Sequence, residues 1–361
     1  MKVKLHPQFK LNSHQFKTTD ELISFSKILS DEVSQFIINW FDKSPFLKVI
    51  TSGSTGIPKE IALKKEQMIN SAKATGEYFD LKENTTALLC MSPKYIAGKM
   101  MLVRAMVLGW NLDIVTSELN PLNKINKKYE FCAMVPLQVV SSLDDLHKIK
   151  TIIVGGGAIS NSLKSSIQNI KTDVFATYGM TETITHIALQ KLNYFDVVIS
   201  SGVEKSLFTV LPSISISTDN RGCLVIDAPL ICDERIITND IVELKNETTF
   251  KWLGRFDNVI NSGGIKLFPE QIEFQLAEII DNRFFISSEP DELLGNKVVL
   301  IIESLPYSTV SLNILKEKLK TALSSYEVPK SIYYTPNFVE TETKKIQRQK
   351  TLDLVLNQPK I

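Results

Sequence analysis

A two-part α/β fold is predicted by this 361-residue sequence on three observations. From about residue 51 to 180, short apolar runs alternate with helical patterns, the alternation that builds a largely parallel sheet covered on both faces. After about residue 185 the pattern becomes a series of short strands divided by turn residues, with no convincing helix. Beyond Gly254 helices return, and a small α+β unit follows.

The elements follow in order. Residues 86–91 read as a buried strand, 98–108 as a helix rich in Met, Leu and Val, and 112–115 and 131–135 as strands. Residues 151–154 form a strand that runs into three glycines, followed by a helical stretch at 161–170 and a strand at 174–177. The β-rich section comprises 187–191, 207–211, 214–217, 224–227, 241–244 and 249–253, expected as a small barrel or a second sheet. In the last section, 269–280 reads as an amphipathic helix with Pro269 in its first turn, 298–302 as a strand, 311–323 as a helix and 331–334 as a strand. The predicted boundary falls at residues 255–258, giving domains of 1–254, with the β-rich part at about 187–254, and 255–361.

Composition excludes several classes. Lys plus Arg number 41 against 40 for Asp plus Glu, which gives no long-range attraction to nucleic acid or an acidic membrane. No window approaches the roughly 18 apolar residues of a membrane span. The start, Met-Lys-Val-Lys-Leu-His-Pro, lacks the apolar stretch of a signal peptide, so a cytoplasmic enzyme is expected. Cys90, Cys132, Cys223 and Cys232 form no Cys-x-x-Cys pair and read as small buried thiols. The four histidines form no His-Glu-x-x-His pattern, which argues against a zinc protease.

Five segments carry candidate chemistry. Thr51-Ser52-Gly53-Ser54-Thr55-Gly56-Ile57-Pro58-Lys59 gathers hydroxyls, glycines and a lysine, the means of wrapping a phosphate with backbone N–H groups and a positive charge. It is not a Walker A loop, because Ile-Pro separates the last glycine from the lysine, and alone it could be a flexible surface loop. Thr177-Tyr178-Gly179-Met180-Thr181-Glu182-Thr183 follows a strand and so lies where ligands bind in open α/β sheets. There Tyr178 could stack on a base, Thr181 bond a phosphate and Glu182 hold Mg²⁺; a capped strand-to-helix turn is the plainer alternative. Gly155-Gly156-Gly157, also at a strand end, permits close approach of a flat ligand or is simply a turn. Gly254-Arg255-Phe256-Asp257, with the later Asn261-Ser262-Gly263-Gly264, sits on the boundary as a hinge or a polar linker. Thr341-Glu342-Thr343-Lys344-Lys345-Ile346-Gln347-Arg348 alone is a charged tail segment.

Together and in this order, these segments resemble the adenylate-forming superfamily of acyl-CoA synthetases, luciferases and peptide-synthetase adenylation domains, from about Val49 to Gln349. The resemblance implies a large N-terminal domain with a small mobile C-terminal one, and ATP, Mg²⁺, CoA and a carboxylic acid as ligands. It implies that Thr51–Lys59 with Gly156, Gly157, Thr177, Tyr178 and Gly179 holds ATP, and that Asp240, within Thr238-Asn239-Asp240, holds the ribose, with Arg255 free to bond ribose or phosphate. It further implies that Thr181 and Glu182 act at the phosphates, with Glu182 on Mg²⁺, and that Lys345 aligns with the family's catalytic lysine, with Lys344 beside it. Asp257 matches the hinge, and Gly263 and Gly264 a loop facing the thiol tunnel.

Within the superfamily the chain looks most like the o-succinylbenzoate–CoA ligases, on Tyr95-Ile96-Ala97-Gly98, Tyr178–Thr183 with His186-Ile187-Ala188-Leu189, and Ser262-Gly263-Gly264. That acid has a second carboxylate in need of a cation or several donors. Arg104, on an otherwise apolar helix, is the leading candidate, with Lys94, Tyr95, Lys99, Gly155, Thr185 and His186 also near the expected acid pocket. The sequence departs from the family at Glu60, Tyr95, Asn239 and Lys344, where relatives carry Gly, His, Gly and Gly. A ligase for an aryl or fatty acid, a partner that supplies an acyl carrier, and a non-catalytic nucleotide-binding regulator are the competing readings.

Overall fold

The computed structural model describes residues 3–50, 60–193, 207–341 and 346–357. Thirteen strands among them form one sheet. Its centre is parallel: Asn111–Ile114, Thr86–Leu89, Tyr129–Met134, Ile149–Val154 and Asp173–Gly179 lie side by side in that order. Their nearly continuous apolar runs follow from burial on both faces. Successive side chains point to opposite faces. Phe131 and Ala133 therefore enter one core with Ala87, Leu89 and Ile153, while Cys132 and Met134 enter another with Leu88, Cys90, Ile152 and Val154.

The first core is covered by helices Lys65–Tyr78 and Ile96–Leu108, which pack on each other. The second helix buries residues around its whole circumference, as an all-round apolar helix must, and ends on Gly109 in the left-handed region at φ +75°. The N-terminal helices Thr19–Ser26 and Asp31–Phe41 start on the hydroxyl caps Thr18 and Ser30 and add Leu22, Phe36, Ile37 and Trp40 to this core. The second core is covered by the shorter helices Pro136–Ser141 and Asn161–Ser166. The latter stops before residue 170, where β-branched Ile167 and Ile170 pack as a turn.

The expected separate barrel or second sheet does not form from the β-rich section. His186–Lys191, Leu207–Val210, Thr249–Arg255, Ile236–Leu244, Cys223–Asp227 and Ser215–Thr218 pair antiparallel in that spatial order and extend the same sheet. The reason lies at the junction, where His186–Lys191 turns straight back onto Asp173–Gly179 and shares its hydrogen bonds.

The last part has its own five-stranded sheet of Ile260–Ser262, Ile265–Leu267, Phe284–Asp291, Gly295–Glu303 and Ser331–Thr335. Helices Pro269–Leu276 and Thr309–Ala322 cover the face that carries Ile286, Val298, Leu300 and Ile302. Helix Arg348–Leu356 covers the face with Phe285, Val299 and Ile301. Among the described residues no helix is long and apolar enough to cross a membrane.

Candidate active site

The sheet changes from parallel to antiparallel at Gly179, and the Tyr178–Glu182 segment occupies that change. Gly179 pairs with His186, and a Cβ there would lie 2.3 Å from the Thr185 carbonyl oxygen and 2.6 Å from the His186 Cα, so only glycine fits. The chain then makes a short 3-10 turn over Thr181–Thr183. The buried Thr183 hydroxyl pins it, accepting from the Met180 N–H at 2.9 Å and donating within reach of the Thr185 carbonyl at 2.7 Å. Ile184 follows at φ +65° and ψ −60°, and the Thr185 N–H reaches the Thr183 carbonyl at 2.7 Å. This is a γ-turn of the strained hand, held by the complete burial of the Ile184 side chain. The turn leaves Thr181 half-buried and Glu182 exposed at the carboxyl end of the sheet.

A second group forms around Asp240, which is buried on strand Ile236–Leu244. Tyr178 donates its hydroxyl to Asp240 Oδ2 at 2.7 Å, and the Trp252 indole N–H donates to Oδ1 at 3.2 Å. Arg255 Nη1 lies 3.3 Å from the same Oδ1. Burial, then the charge of Asp240, pushes the Tyr178 phenol well above its ordinary pKa, so it remains a protonated donor. Its ring packs against Phe208 and Phe250 at 5.8 and 5.3 Å between centroids. The Asp240 N–H donates to the Thr238 hydroxyl at 3.0 Å. Asn239 takes a bond from Arg221 at 3.0 Å and gives one to Asp257 at 3.2 Å. Thus Tyr178, Asp240 and Arg255, far apart in sequence, converge, Thr238 of the Thr-Asn-Asp run supports Asp240 from beside it, and Trp252 joins them unanticipated. A tryptophan in an apolar strand signals core, which is why Trp252 escapes a reading of the sequence.

The three glycines divide in role. A Cβ on Gly155 would lie 2.4 Å from the Thr177 hydroxyl, which donates to the Val154 carbonyl at 3.1 Å, so Gly155 packs against the neighbouring strand. Gly156 at φ +80° and Gly157 are exposed, with only ordinary contacts awaiting a side chain.

Behind this edge Arg104 is fully buried, and burial lowers its pKa to about 9. Its Nε donates to Thr75 Oγ1 at 3.2 Å, Nη1 approaches Met101 Sδ at 3.9 Å and Nη2 faces His186 Nδ1 at 3.5 Å. His186 also meets the Thr75 and Thr185 hydroxyls at 3.4 and 3.5 Å. Burial first, then the Arg104 charge, holds His186 well below the usual histidine pKa. The structure thus brings together Arg104 and His186, two of the candidates for the acid pocket, and adds Thr75 as an unforeseen third member. Tyr95 and Lys99 are not among their hydrogen-bond partners: Tyr95 is 53% exposed, and the Lys99 ammonium donates to the Lys94 carbonyl at 2.7 Å.

Asp257 lies in the 3-10 turn Phe256–Asn258 between the two sheets, and its carboxylate is 3.8 Å from Arg255 Nη2. Gly263 and Gly264, at φ +57° and +83°, form the tight turn joining Ile260–Ser262 to Ile265–Leu267. The loop of Thr51, Ser52, Gly53, Ser54, Thr55, Gly56 and Lys59 lies outside the described residues, as do Lys344 and Lys345. The four cysteines are buried free thiols, with Cys90 and Cys132 Sγ atoms 3.7 Å apart.

An aromatic ring, a buried carboxylate and an exposed guanidinium at the carboxyl edge of a mixed sheet, with a second small sheet beyond, define the class. The chain belongs to the AMP-binding enzymes, the family of AMP-forming acid–CoA ligases, which use ATP and coenzyme A; residues 39–211 match that family. Among particular relatives, the acyl-CoA synthetase (AMP-forming)/AMP-acid ligase II-like protein of Dyadobacter fermentans is 36% identical. That likeness covers 90% of this chain and 95% of that one, with a TM-score of 0.60. The 2-succinylbenzoate–CoA ligase of Listeria monocytogenes is 26% identical over 91% of this chain and 74% of its own length. The O-succinylbenzoate coenzyme A synthetase of Bacillus subtilis, solved in complex with ATP and magnesium ion, shares the fold at a TM-score of 0.70 and 20% identity, covering 85% of this chain and 69% of that one.

Proposed function

We propose that the protein joins o-succinylbenzoate, or a closely similar aromatic dicarboxylate, to coenzyme A by way of an acyl-adenylate, a step of menaquinone biosynthesis. The observation that carries the choice of acid is Arg104, a fully buried guanidinium whose partners among the described residues are Thr75, Met101 and His186, all neutral at pH 7. A buried cation without a counter-charge is costly, and the spare carboxylate of a dicarboxylic acid would offset that cost. Two neutral hydroxyls and an imidazole beside it suit the remaining carboxylate lone pairs. The likeness to succinylbenzoate ligases favours the same acid.

Adenylation demands that the acid and ATP be held in line and that growing charge be neutralised. In this reading Asp240 accepts from the ribose hydroxyls, Tyr178 flanks the base, and Arg255 swings its exposed end toward ribose or phosphate. Gly156 and Gly157 admit the nucleotide at close range. Thr51–Thr55 and Lys59 hold the outer phosphates, and Lys345 meets the α-phosphate and the acid. Among the described residues no three or more His, Cys, Asp or Glu gather to hold a metal. Glu182, exposed beside Thr181, fits a site where one carboxylate shares Mg²⁺ with phosphate oxygens. Bound Mg²⁺ would neutralise charge on the departing pyrophosphate.

Pyrophosphate release with ATP and o-succinylbenzoate, benzoate or a fatty acid tests the reading. The dicarboxylate is expected to be turned over at least about 10-fold more efficiently, and Arg104→Met to remove most of that preference by raising its KM. Equal use of the monocarboxylates by the wild-type protein would refute the choice of acid. No release with any acid would refute the ligase itself.

A further inference from the structure

We propose that Trp252 is a positioning residue for the nucleotide: its indole N–H fixes the Asp240 carboxylate in the orientation that receives the ribose hydroxyls. This rests on the ribose role given to Asp240 above.

The argument begins with the sheet. Asp240 pairs with Arg255 and Ile241 with Gly254, but Val242 pairs with Trp252, so Leu253 is an extra residue in strand Thr249–Arg255. In antiparallel strands directly opposed residues share a face, and residues two apart share it too. Without the bulge Trp252 would oppose Glu243 and point to the other face. With it, Asp240, Val242, Trp252 and Arg255 all lie on one face, because a one-residue shift reverses every side chain beyond it. The irregularity is what brings the indole within 3.2 Å of Asp240 Oδ1.

The carboxylate is then held at both oxygens from two strands. Tyr178 approaches Oδ2 from strand Asp173–Gly179, and Trp252 approaches Oδ1 from Thr249–Arg255. Two donors on different oxygens fix the carboxylate plane. A carboxylate offers about four acceptor positions. Tyr178 and Trp252 use two with half-buried groups that hold their places. Arg255 uses a third through a side chain that is 45% exposed and able to turn to a ligand. What remains belongs to a carboxylate that is held in place and still 9% exposed, so the ribose would meet an acceptor that loses little freedom on binding. Glycine, valine or phenylalanine at 252 would leave Oδ1 to Arg255 alone.

Trp252→Phe keeps most of the ring and removes only the donor. Dissociation constants of ATP, 2′-deoxy-ATP and 3′-deoxy-ATP, with the thermal midpoint, read its effect. The ATP constant is expected to rise about 3- to 10-fold while the constant for at least one deoxy analogue rises by less than about 2-fold, so that ribose discrimination shrinks. The midpoint should stay within a few degrees of wild type. Equal weakening of all three nucleotides, or no change in any, overturns the proposal by making Trp252 a packing residue or an idle one. Asp240→Asn separates the premise: it should abolish the discrimination, and retention of full discrimination in that variant refutes the ribose role itself whatever Trp252→Phe does.

Discussion

One act of burial has different consequences in Arg104 and His186. Arg104 falls to a pKa of about 9, so it keeps its charge at pH 7 and its desolvation cost does not vary below that pH. His186 is pushed down from a reference value of 6.5 and is therefore neutral at pH 7. The unfolded chain protonates this histidine at a higher pH than the folded one does. The associated stability is thus fully present above about pH 6.5 and is lost as pH falls toward the depressed folded value. His186→Gln keeps a donor and an acceptor but cannot titrate. Between pH 7 and 5 the wild-type protein is expected to lose about 1 to 2 kcal/mol more stability than this variant, one pKa unit being worth about 1.4 kcal/mol. Carboxylates that titrate in the same range are common to both proteins and cancel. Denaturant midpoints at pH 7, 6 and 5 measure the difference, and parallel acid limbs would show that His186 is not buried neutral.

The turn from strand Asp173–Gly179 into His186–Lys191 decides both the topology and the site. Gly179→Ala would drive a Cβ into the Thr185 carbonyl and the His186 Cα, both backbone, which cannot yield as a flexible side chain does. A loss of about 2 to 3 kcal/mol and of most pyrophosphate release is expected. Gly157→Ala would meet nothing closer than 3.7 Å, so stability should hold within about 0.5 kcal/mol. Any fall in ATP affinity in that variant then reports contact with the nucleotide, whereas a comparable loss of stability in the two variants would contradict the geometry. The same turn marks the limit of what the sequence reveals. The central strands are legible because burial on two faces leaves long apolar runs. The continuation of the sheet is not, because it depends on a strained γ-turn at Ile184, a residue type that gives no sign of positive φ. Helix Lys65–Tyr78 gives a weak signal in the sequence for a related reason. Its buried positions include Lys65, Ser71, Thr75 and Gly76, so the helical period is present while the apolar character is diluted. Tyr178, Asp240 and Arg255 were readable as motif residues, whereas the Trp252 contact needs a bulge that only the pairing of strands discloses.

At the scale of the whole molecule, the two sheets have no buried core in common. Among the described residues, the clusters of the first part end at Phe250 and those of the second begin at Ile260. Polar contacts join them: Gln271 donates to the Leu253 carbonyl at 2.9 Å and reaches the Trp252 carbonyl at 3.3 Å, and Asn161 donates to the Phe274 carbonyl at 2.8 Å. The Lys164 ammonium lies 4.7 Å from the centre of the Phe274 ring. Such an interface separates without exposing a core, which suits the hinge expected at Asp257, and we propose that the C-terminal part turns about it between the two half-reactions. Asp257 is the second residue of a 3-10 turn, and the φ of about −50 to −70° usual in such turns suits proline, so Asp257→Pro should fold while removing freedom at that bond. If rotation brings Lys345 to the acid for adenylation and withdraws it for the thiol, the two steps must respond differently. Pyrophosphate release in a single turnover is expected to stay within about 3-fold of wild type, and thioester formation from supplied acyl-adenylate and coenzyme A to fall by about 10-fold or more. Equal slowing of both steps would point to general damage, and an unchanged thioester rate would mean that the pivot lies elsewhere in the linker.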